Sequence, residues 1–239
     1  METIKISDSL PMMNLKKEYL LKKDRIASRL DEFDKFYSGK YSWHFNDGKM
    51  ELRENNLDEN HNIFSELCFC ILTANTSAEM GMKSIDRIRH LLADGKAEEM
   101  SKMLEGVYRF NNLRPTFIVH TRELLKKNHN FELKKLIESM KDDPDILRDF
   151  FVENVKGFGY KEASHFLRNI GLKGYGILDK HIINSLLEFR VVDAVKMPLN
   201  RERYRELENK LRVFSNELGI PMDEIDLLLW SRKNGKIMK

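Results

Sequence analysis

The sequence predicts an all-α protein of two helical lobes with one small β-hairpin near its N-terminus. Three observations predict it. Apolar residues recur at helical spacing from Asn62 almost to the end of the chain. Only 5 prolines and 12 glycines interrupt 239 residues, which leaves room for long helices. One segment alone, residues 41–53 (YSWHFNDGKMELR), alternates with period two on both sides of Asp47-Gly48, the mark of a two-residue hairpin turn. The length suits one large domain or two small ones with a real core. A charged fraction of 33% against a hydrophobic fraction of 41% excludes wholesale disorder.

In chain order, residues 14–37 form an amphipathic helix with Leu15, Tyr19, Ile26, Leu30 and Phe33 on its apolar face. The hairpin follows at 41–52. Ile63, Phe64, Leu67, Ile71 and Leu72 make one helical stripe; Met82, Ile85, Ile88, Leu91 and Leu92 make the next, closed by Gly95. Pro115 opens a helix through Phe117, Ile118 and Leu124. Phe131, Leu133, Leu136, Ile137 and Met140 form another. Asp143-Pro144 is a cap and first-turn pair for a helix through Leu147, Phe150, Phe151 and Val155. Asn200 caps a helix bearing Tyr204, Leu207, Leu211, Phe214 and Leu218. The last helix follows Pro221 and runs to near Gly235. The expected organisation is a helical extension over residues 1–60 and a two-lobed body over 61–239. Residues 100–200 form one lobe of that body, and the early and C-terminal helices the other.

Composition narrows the chemistry. Cys68 and Cys70 are the only cysteines, which excludes a disulfide framework, a four-cysteine iron–sulfur cluster and a four-thiolate zinc site. At i, i+2 on a helix they point to different faces, so they read as small core residues. His44, His61, His90, His120, His129 and His165 show no ligand-like spacing, and no transition metal is expected. The opening METIKISDSLPMMN lacks the pattern of a secretory signal, and the longest apolar stretch, Leu67 to Thr76, is too short to span a bilayer. A cytoplasmic protein that does not engage membranes is expected. The net charge of +3 permits nucleic-acid binding without arguing for it.

The chemistry concentrates in residues 154–186 (NVKGFGYKEASHFLRNIGLKGYGILDKHIINSL). Lys156 to Tyr160 hold two glycines, Gly157 and Gly159, between a helix ending at Val155 and one resuming through Ala163, Phe166, Leu167 and Ile170. This is helix, hairpin, helix, over about residues 147–171. The glycines admit positive φ and the close approach of another backbone. The free N–H groups of the second helix suit a phosphate. An ordinary turn between helices would use the same glycines. Lys161 lies in the first turn, where the positive helix end disfavours a second positive charge and makes a neutral, nucleophilic amine more accessible. Asp179 precedes Lys-His-Ile-Ile and reads as a helix cap whose carboxylate direction is fixed by N–H donors. A lysine nucleophile with a carboxylate is a recurrent arrangement for Schiff-base chemistry.

These residues carry a resemblance. Gly157-Phe158-Gly159-Tyr160-Lys161 followed by Asp179 resembles the helix-hairpin-helix DNA glycosylase superfamily. KGFGYKEASHFLRNIG with ILDKHI, the earlier LCFCILTANTSAEMG and the C-terminal DLLLW…GKIMK resemble the archaeal-type 8-oxoguanine DNA glycosylase/AP lyases, from about Phe64 to Lys239. Residues 1–60 depart from that pattern, and the hairpin has no role in it. The resemblance implies double-stranded DNA containing 8-oxoguanine or an abasic site as partner, a monomer, and no required cofactor. It implies that Lys161 attacks C1′ and forms a Schiff base, and that Asp179 stabilises charge on the sugar and assists proton transfer. It also implies a structural K+ or Na+ on the carbonyls of Glu153, Val155 and Phe158, and a phosphate contact by His181.

Base reading follows from the same resemblance. Asn75 matches a position that probes the duplex. On residue type alone, Arg109, Phe110 and Arg114 lie in a connecting segment, where an exposed aromatic beside arginine suits a wedge that reads the orphaned base; core packing is the equal alternative for Phe110. Trp230 and Lys239 match a pair that takes the extruded base, the indole stacking on its face and the carboxylate at Lys239 accepting from a guanine edge. A solvated basic tail is the plainer reading of Arg232, Lys233, Lys236 and Lys239. Two alternatives stay open: a glycosylase of the same superfamily for another base, and a module that binds DNA without chemistry. Lys161 with Asp179 argues against the second, because pure binding needs only the glycines and the helix end.

Overall fold

The structure, a computed structural model, describes residues 10–47, 49–198, 200–233, 235–237 and 239. It runs α1 (Leu10–Tyr37), β1 (Tyr41–Asn46), β2 (Lys49–Glu54), α2 (Glu59–Thr73), α3 (Ala78–Ile88), α4 (Ala97–Leu104), α5 (Arg114–His129) and α6 (Leu133–Met140). There follow α7 (Pro144–Asn154), α8 (Tyr160–Asn169), α9 (Lys180–Glu188), α10 (Arg201–Leu218) and α11 (Met222–Ser231). The all-α expectation with one hairpin holds.

Helices begin where local donors find acceptors. Asp143 accepts from the N–H groups of Asp145 and Ile146 at 3.1 Å, and Asn200 from that of Arg203 at 2.9 Å. Pro115 sits in the first turn of α5. Several ends differ from expectation: α1 begins at Leu10 rather than at residue 14, and α6 at Leu133 rather than Phe131. The stripe reaching Leu92 is α-helical only to Ile88, and Arg89–Leu91 tighten into a 3-10 turn. α11 stops at Ser231 instead of near Gly235. There the N–H of Arg232 turns to the carbonyl of Leu229, and Gly235 adopts φ +72° with its N–H on the Ser231 carbonyl.

The chain divides into two compact units. The first joins the residues up to Glu32 with Leu172–Lys239; the second is Phe33–Gly171. The expected boundary at residue 60 therefore does not describe the packing, nor does a lobe over 100–200. The reason lies in α1, which buries Met12, Leu15 and Ile26 along one stretch and Phe33 and Phe36 along the next.

In the second unit, α2 is buried from Asn62 to Thr73 and packs against α3, α5, α6 and α8. Burying each large apolar side chain there contributes about 1.5–3 kcal/mol. Cys68 and Cys70 are unbridged and buried. β1 and β2 pair antiparallel from Tyr41↔Glu54 to Asn46↔Lys49. Asp47 takes φ +46° in the turn; Gly48 lies outside the described residues. Trp43 packs edge-on to Phe33 and stacks on Phe36 at 5.7 and 6.4 Å, and Arg89 donates to its carbonyl at 2.7 Å. The hairpin thus belongs to this core.

In the first unit, α11 packs on α9 and α10. The segment from Gly174 to Leu178 is irregular yet largely buried, so its N–H groups need acceptors from side chains. Asp223 accepts from Gly174 (2.9 Å), Glu208 from Gly176 (2.9 Å) and Asp226 from Ile177 (3.2 Å). The Tyr204 hydroxyl accepts from Leu178 at 3.2 Å and donates to the Gly176 carbonyl at 2.7 Å. Tyr204→Phe strands a buried donor and a buried acceptor. It should cost about 1–3 kcal/mol in urea unfolding, and no loss would show that the hydroxyl holds nothing.

Candidate functional site

α7 is followed by its capping residue Val155, whose N–H returns to Phe151 at 3.0 Å, and the N–H of Phe158 closes the hairpin on the Val155 carbonyl at 3.1 Å. The two glycines differ in kind. Gly157 has φ +87°, and a Cβ there would stand 2.6 Å from Phe117 Cδ2 and 2.7 Å from Arg114 Nη1. Gly159 has φ −114° and ψ −173°, which any residue adopts, and a Cβ there would meet only Glu162 Oε2, at 3.4 Å. The fold therefore explains Gly157. It does not explain Gly159, which stands at the N-terminus of α8 with no packing reason to lack a side chain.

Lys161 is the second residue of α8, with 27% of its side chain exposed and its Nζ 3.8 Å from Glu162 Oε1. Glu162 also accepts from the N–H of Gly159 at 3.3 Å. Sequence reasoning passed over Glu162, although an acid three residues after a helix start is a readable capping signal.

The readers expected in the second unit lie on connections between helices. Asn75 is exposed at φ +63° in the turn between α2 and α3, a conformation asparagine tolerates better than most residues. Phe110 is half-buried, with the guanidinium groups of Arg109 and Arg114 at 5.1 and 5.6 Å from its ring centre. Arg109 is exposed. Tyr108 beside it is buried; its hydroxyl donates to the Leu72 carbonyl at 2.7 Å, and burial pushes its pKa up to about 12. Arg114, expected as a DNA contact, is only 7% exposed. Its guanidinium lies 5.3 Å from the Phe117 ring and donates to the Ala74 carbonyl at 3.5 Å, and it packs beside Gly157. One buried cation thus touches the turn of Asn75, the ring of Phe110 and the hairpin.

The remaining residues lie in the first unit. Asp179 caps α9: Oδ1 accepts from the N–H groups of His181 at 2.8 Å and Ile182 at 2.9 Å. Oδ2 accepts from Trp230 Nε1 at 2.8 Å. The indole is therefore held in a fixed plane, with the His181 ring edge-on at 6.3 Å. Lys233 Nζ stands 2.7 Å from His181 Nε2; an ammonium only donates, so Nε2 accepts. The sequence had marked Lys233 merely as part of a basic tail. Lys239 is 4% exposed, which sets aside the solvated-tail reading at that residue. The division of the chain places Lys161 in one unit and Asp179, Trp230 and Lys239 in the other.

Two helices joined by a glycine hairpin, with a lysine in the first turn of the second, define a helix-hairpin-helix protein of the DNA glycosylase class. A family model described as 8-oxoguanine DNA glycosylase matches residues 48–220, and the chain belongs to that family. An 8-oxoguanine DNA glycosylase/AP lyase of Methanocaldococcus jannaschii is 37% identical over 237 residues, spanning 95% of this chain and 100% of that protein. One from Korarchaeum cryptofilum is 40% identical over 178 residues, covering 74% of this chain and 82% of its own. A crystal structure of the Methanocaldococcus jannaschii enzyme in complex with a 15mer DNA containing 8-oxoguanine superposes with a TM-score of 0.78. It shares 35% identity and covers 95% of this chain and 100% of that one. An alignment of that extent reaches well into residues 1–60, so the Methanocaldococcus jannaschii enzyme shares most of that segment.

Gly157→Ala should destabilise the protein by about 1–3 kcal/mol through strained backbone and overlap with Phe117. Gly159→Ala should leave stability within about 0.5 kcal/mol yet weaken duplex DNA binding. Urea melts beside fluorescence-anisotropy titrations check both; equal destabilisation by the two would refute the distinction.

Proposed function

We infer that this chain is a bifunctional enzyme that excises 8-oxoguanine from duplex DNA and then nicks the strand as an AP lyase. The observation that carries the reading is Lys161 in the first turn of α8, directly after the hairpin glycines. In the proposed reaction its neutral amine attacks C1′ and the bond from C1′ to the base breaks. The C1′–O4′ bond then opens to give an imine between Nζ and C1′. Loss of a proton from C2′ expels the 3′ phosphate by β-elimination, and water releases the lysine. Asp179 bears the role of stabilising positive charge on the sugar and passing protons, with its direction set by the α9 N–H groups and the Trp230 indole.

Trp230, Lys239 and Phe110 are assigned to the damaged base. Asn75, Arg109, His181 and the hairpin residues Gly157 and Gly159 are assigned to the DNA around it. Arg114 serves by placing Asn75, Phe110 and the hairpin. The carbonyls of Glu153, Val155 and Phe158 fit a K+ or Na+. They lie at the end of α7 and in the hairpin; the Val155 carbonyl already accepts from the Phe158 N–H but keeps a second lone pair, and neutral oxygens suit such an ion. The reaction itself needs no cofactor, and a monomer acting on cytoplasmic DNA suffices for it.

Borohydride trapping on a duplex with one 8-oxoguanine opposite cytosine tests the assignment. Wild-type protein should form a covalent adduct. Lys161→Gln should lose adduct, excision and nicking while keeping lesion-DNA affinity within about threefold. An adduct on an abasic duplex alone would uphold the lyase and overturn the base specificity. No adduct on either would favour a module that only binds DNA.

A further inference from the structure

The sequence left the N-terminal helix without a role. In the first unit, one stripe of α1 follows the chain through α11 and beyond. The Tyr19 hydroxyl donates to Glu224 at 2.6 Å, Lys22 Nζ to the Ser231 hydroxyl at 3.0 Å, and Glu18 pairs with Arg232 at 3.4 Å. Beyond the end of α11, Arg25 Nη2 donates to the Gly235 carbonyl at 3.4 Å and Arg29 Nη2 to the Ile237 carbonyl at 3.5 Å. Positions 18, 22, 25 and 29 are spaced four, three and four apart, so they share one helix face. Lys22, Arg25 and Arg29 meet Ser231, Gly235 and Ile237 in the same order along both segments.

The two arginine contacts differ from the others in reaching main-chain carbonyls. Among the described residues past Ser231 there is neither helix nor strand to satisfy those groups, and the guanidinium groups supply donors from outside. Arg29 is itself aimed by Glu32, at 2.6 Å. In the same stretch Ile237 is 8% exposed and Lys239 4%.

We propose that Arg25 and Arg29 are positioning residues for base recognition, fixing Gly235 and Ile237 so that Lys239 stands where the extruded base is read. This rests on the assignment of Lys239 and Trp230 to the base. Neither arginine touches substrate. The consequence is a separation of two activities. Excision of 8-oxoguanine requires the placed tail, whereas cleavage at a ready-made abasic site presents no base for the tail to hold.

The test uses the full chain, its Arg25→Ala/Arg29→Ala double variant and Arg29→Lys. Three rates are measured: single-turnover excision of 8-oxoguanine opposite cytosine at saturating enzyme, borohydride trapping on an abasic duplex, and tryptic cleavage after Lys233 and Lys236 followed by mass spectrometry. The double variant should excise about tenfold or more slowly while abasic trapping stays within about twofold. Tail cleavage should quicken about fivefold or more, because the local opening that trypsin requires becomes easier. Arg29→Lys, which keeps a donor within reach of the carbonyl, should recover most of the excision rate. Unchanged excision with a loosened tail would overturn the proposal. So would a parallel fall in abasic trapping, which would mean that α1 only supports the fold. If wild-type protein trapped on abasic DNA but removed no 8-oxoguanine, the base assignment would fail and the tryptic arm alone would decide. Faster tail cleavage in the double variant would uphold the anchoring, and an unchanged rate would refute it.

Discussion

The first unit depends on one constraint: a buried, irregular segment from Gly174 to Leu178 must have its N–H groups satisfied by side chains. Asp223, Glu208, Asp226 and Tyr204 do this from α10 and α11. Burying these carboxylates would be costly without donors, and leaving the segment's N–H groups bare would be equally so; each solves the other's problem. The segment ends at Asp179, which is therefore presented by a backbone with little freedom. Its carboxylate divides its work, Oδ1 holding the start of α9 and Oδ2 the indole of Trp230. A residue proposed to stabilise developing charge gains from such fixation, because no reorganisation is then needed as the charge appears.

The second unit meets its main constraint at Arg114. A buried guanidinium needs acceptors and flat partners, and it finds the Ala74 carbonyl and the rings of Phe110 and Phe117. The same group abuts Gly157, which explains why the hairpin tolerates no side chain there. Three connections of separate sequence origin are thereby tied to one side chain. Loops are ordinarily the mobile part of a fold, and functions that need accuracy place them on rigid supports.

Features whose partners lie close in sequence were legible. The caps at Asp143, Asn200 and Asp179 each involve a donor two or three residues away, and the hairpin register follows from alternation around Asp47-Gly48. The glycine hairpin with Lys161 and Asp179 was legible because the motif is short. What escaped depends on distant partners. Asp223, Glu208 and Asp226 look like surface acids until the segment some thirty to fifty residues earlier arrives beside them. Arg114 reads like any arginine in a connection, and its burial is decided by Ala74, forty residues away. The division of α1 between two units leaves no mark in its apolar period, since both stretches present the same kind of stripe.

α11 shows why the first unit holds its parts in register. Asp223, Asp226 and Trp230 stand at i, i+3 and i+7, so one face serves the buried segment and Asp179 together. Glu224 and Ser231, seven apart, form a second face that meets α1 through Tyr19 and Lys22. A one-residue slip would turn the helix by about 100° and break both sets at once. The helix that fixes the carboxylate therefore also fixes where the tail begins. The placements of Asp179 and Lys239 in this unit are two consequences of one register.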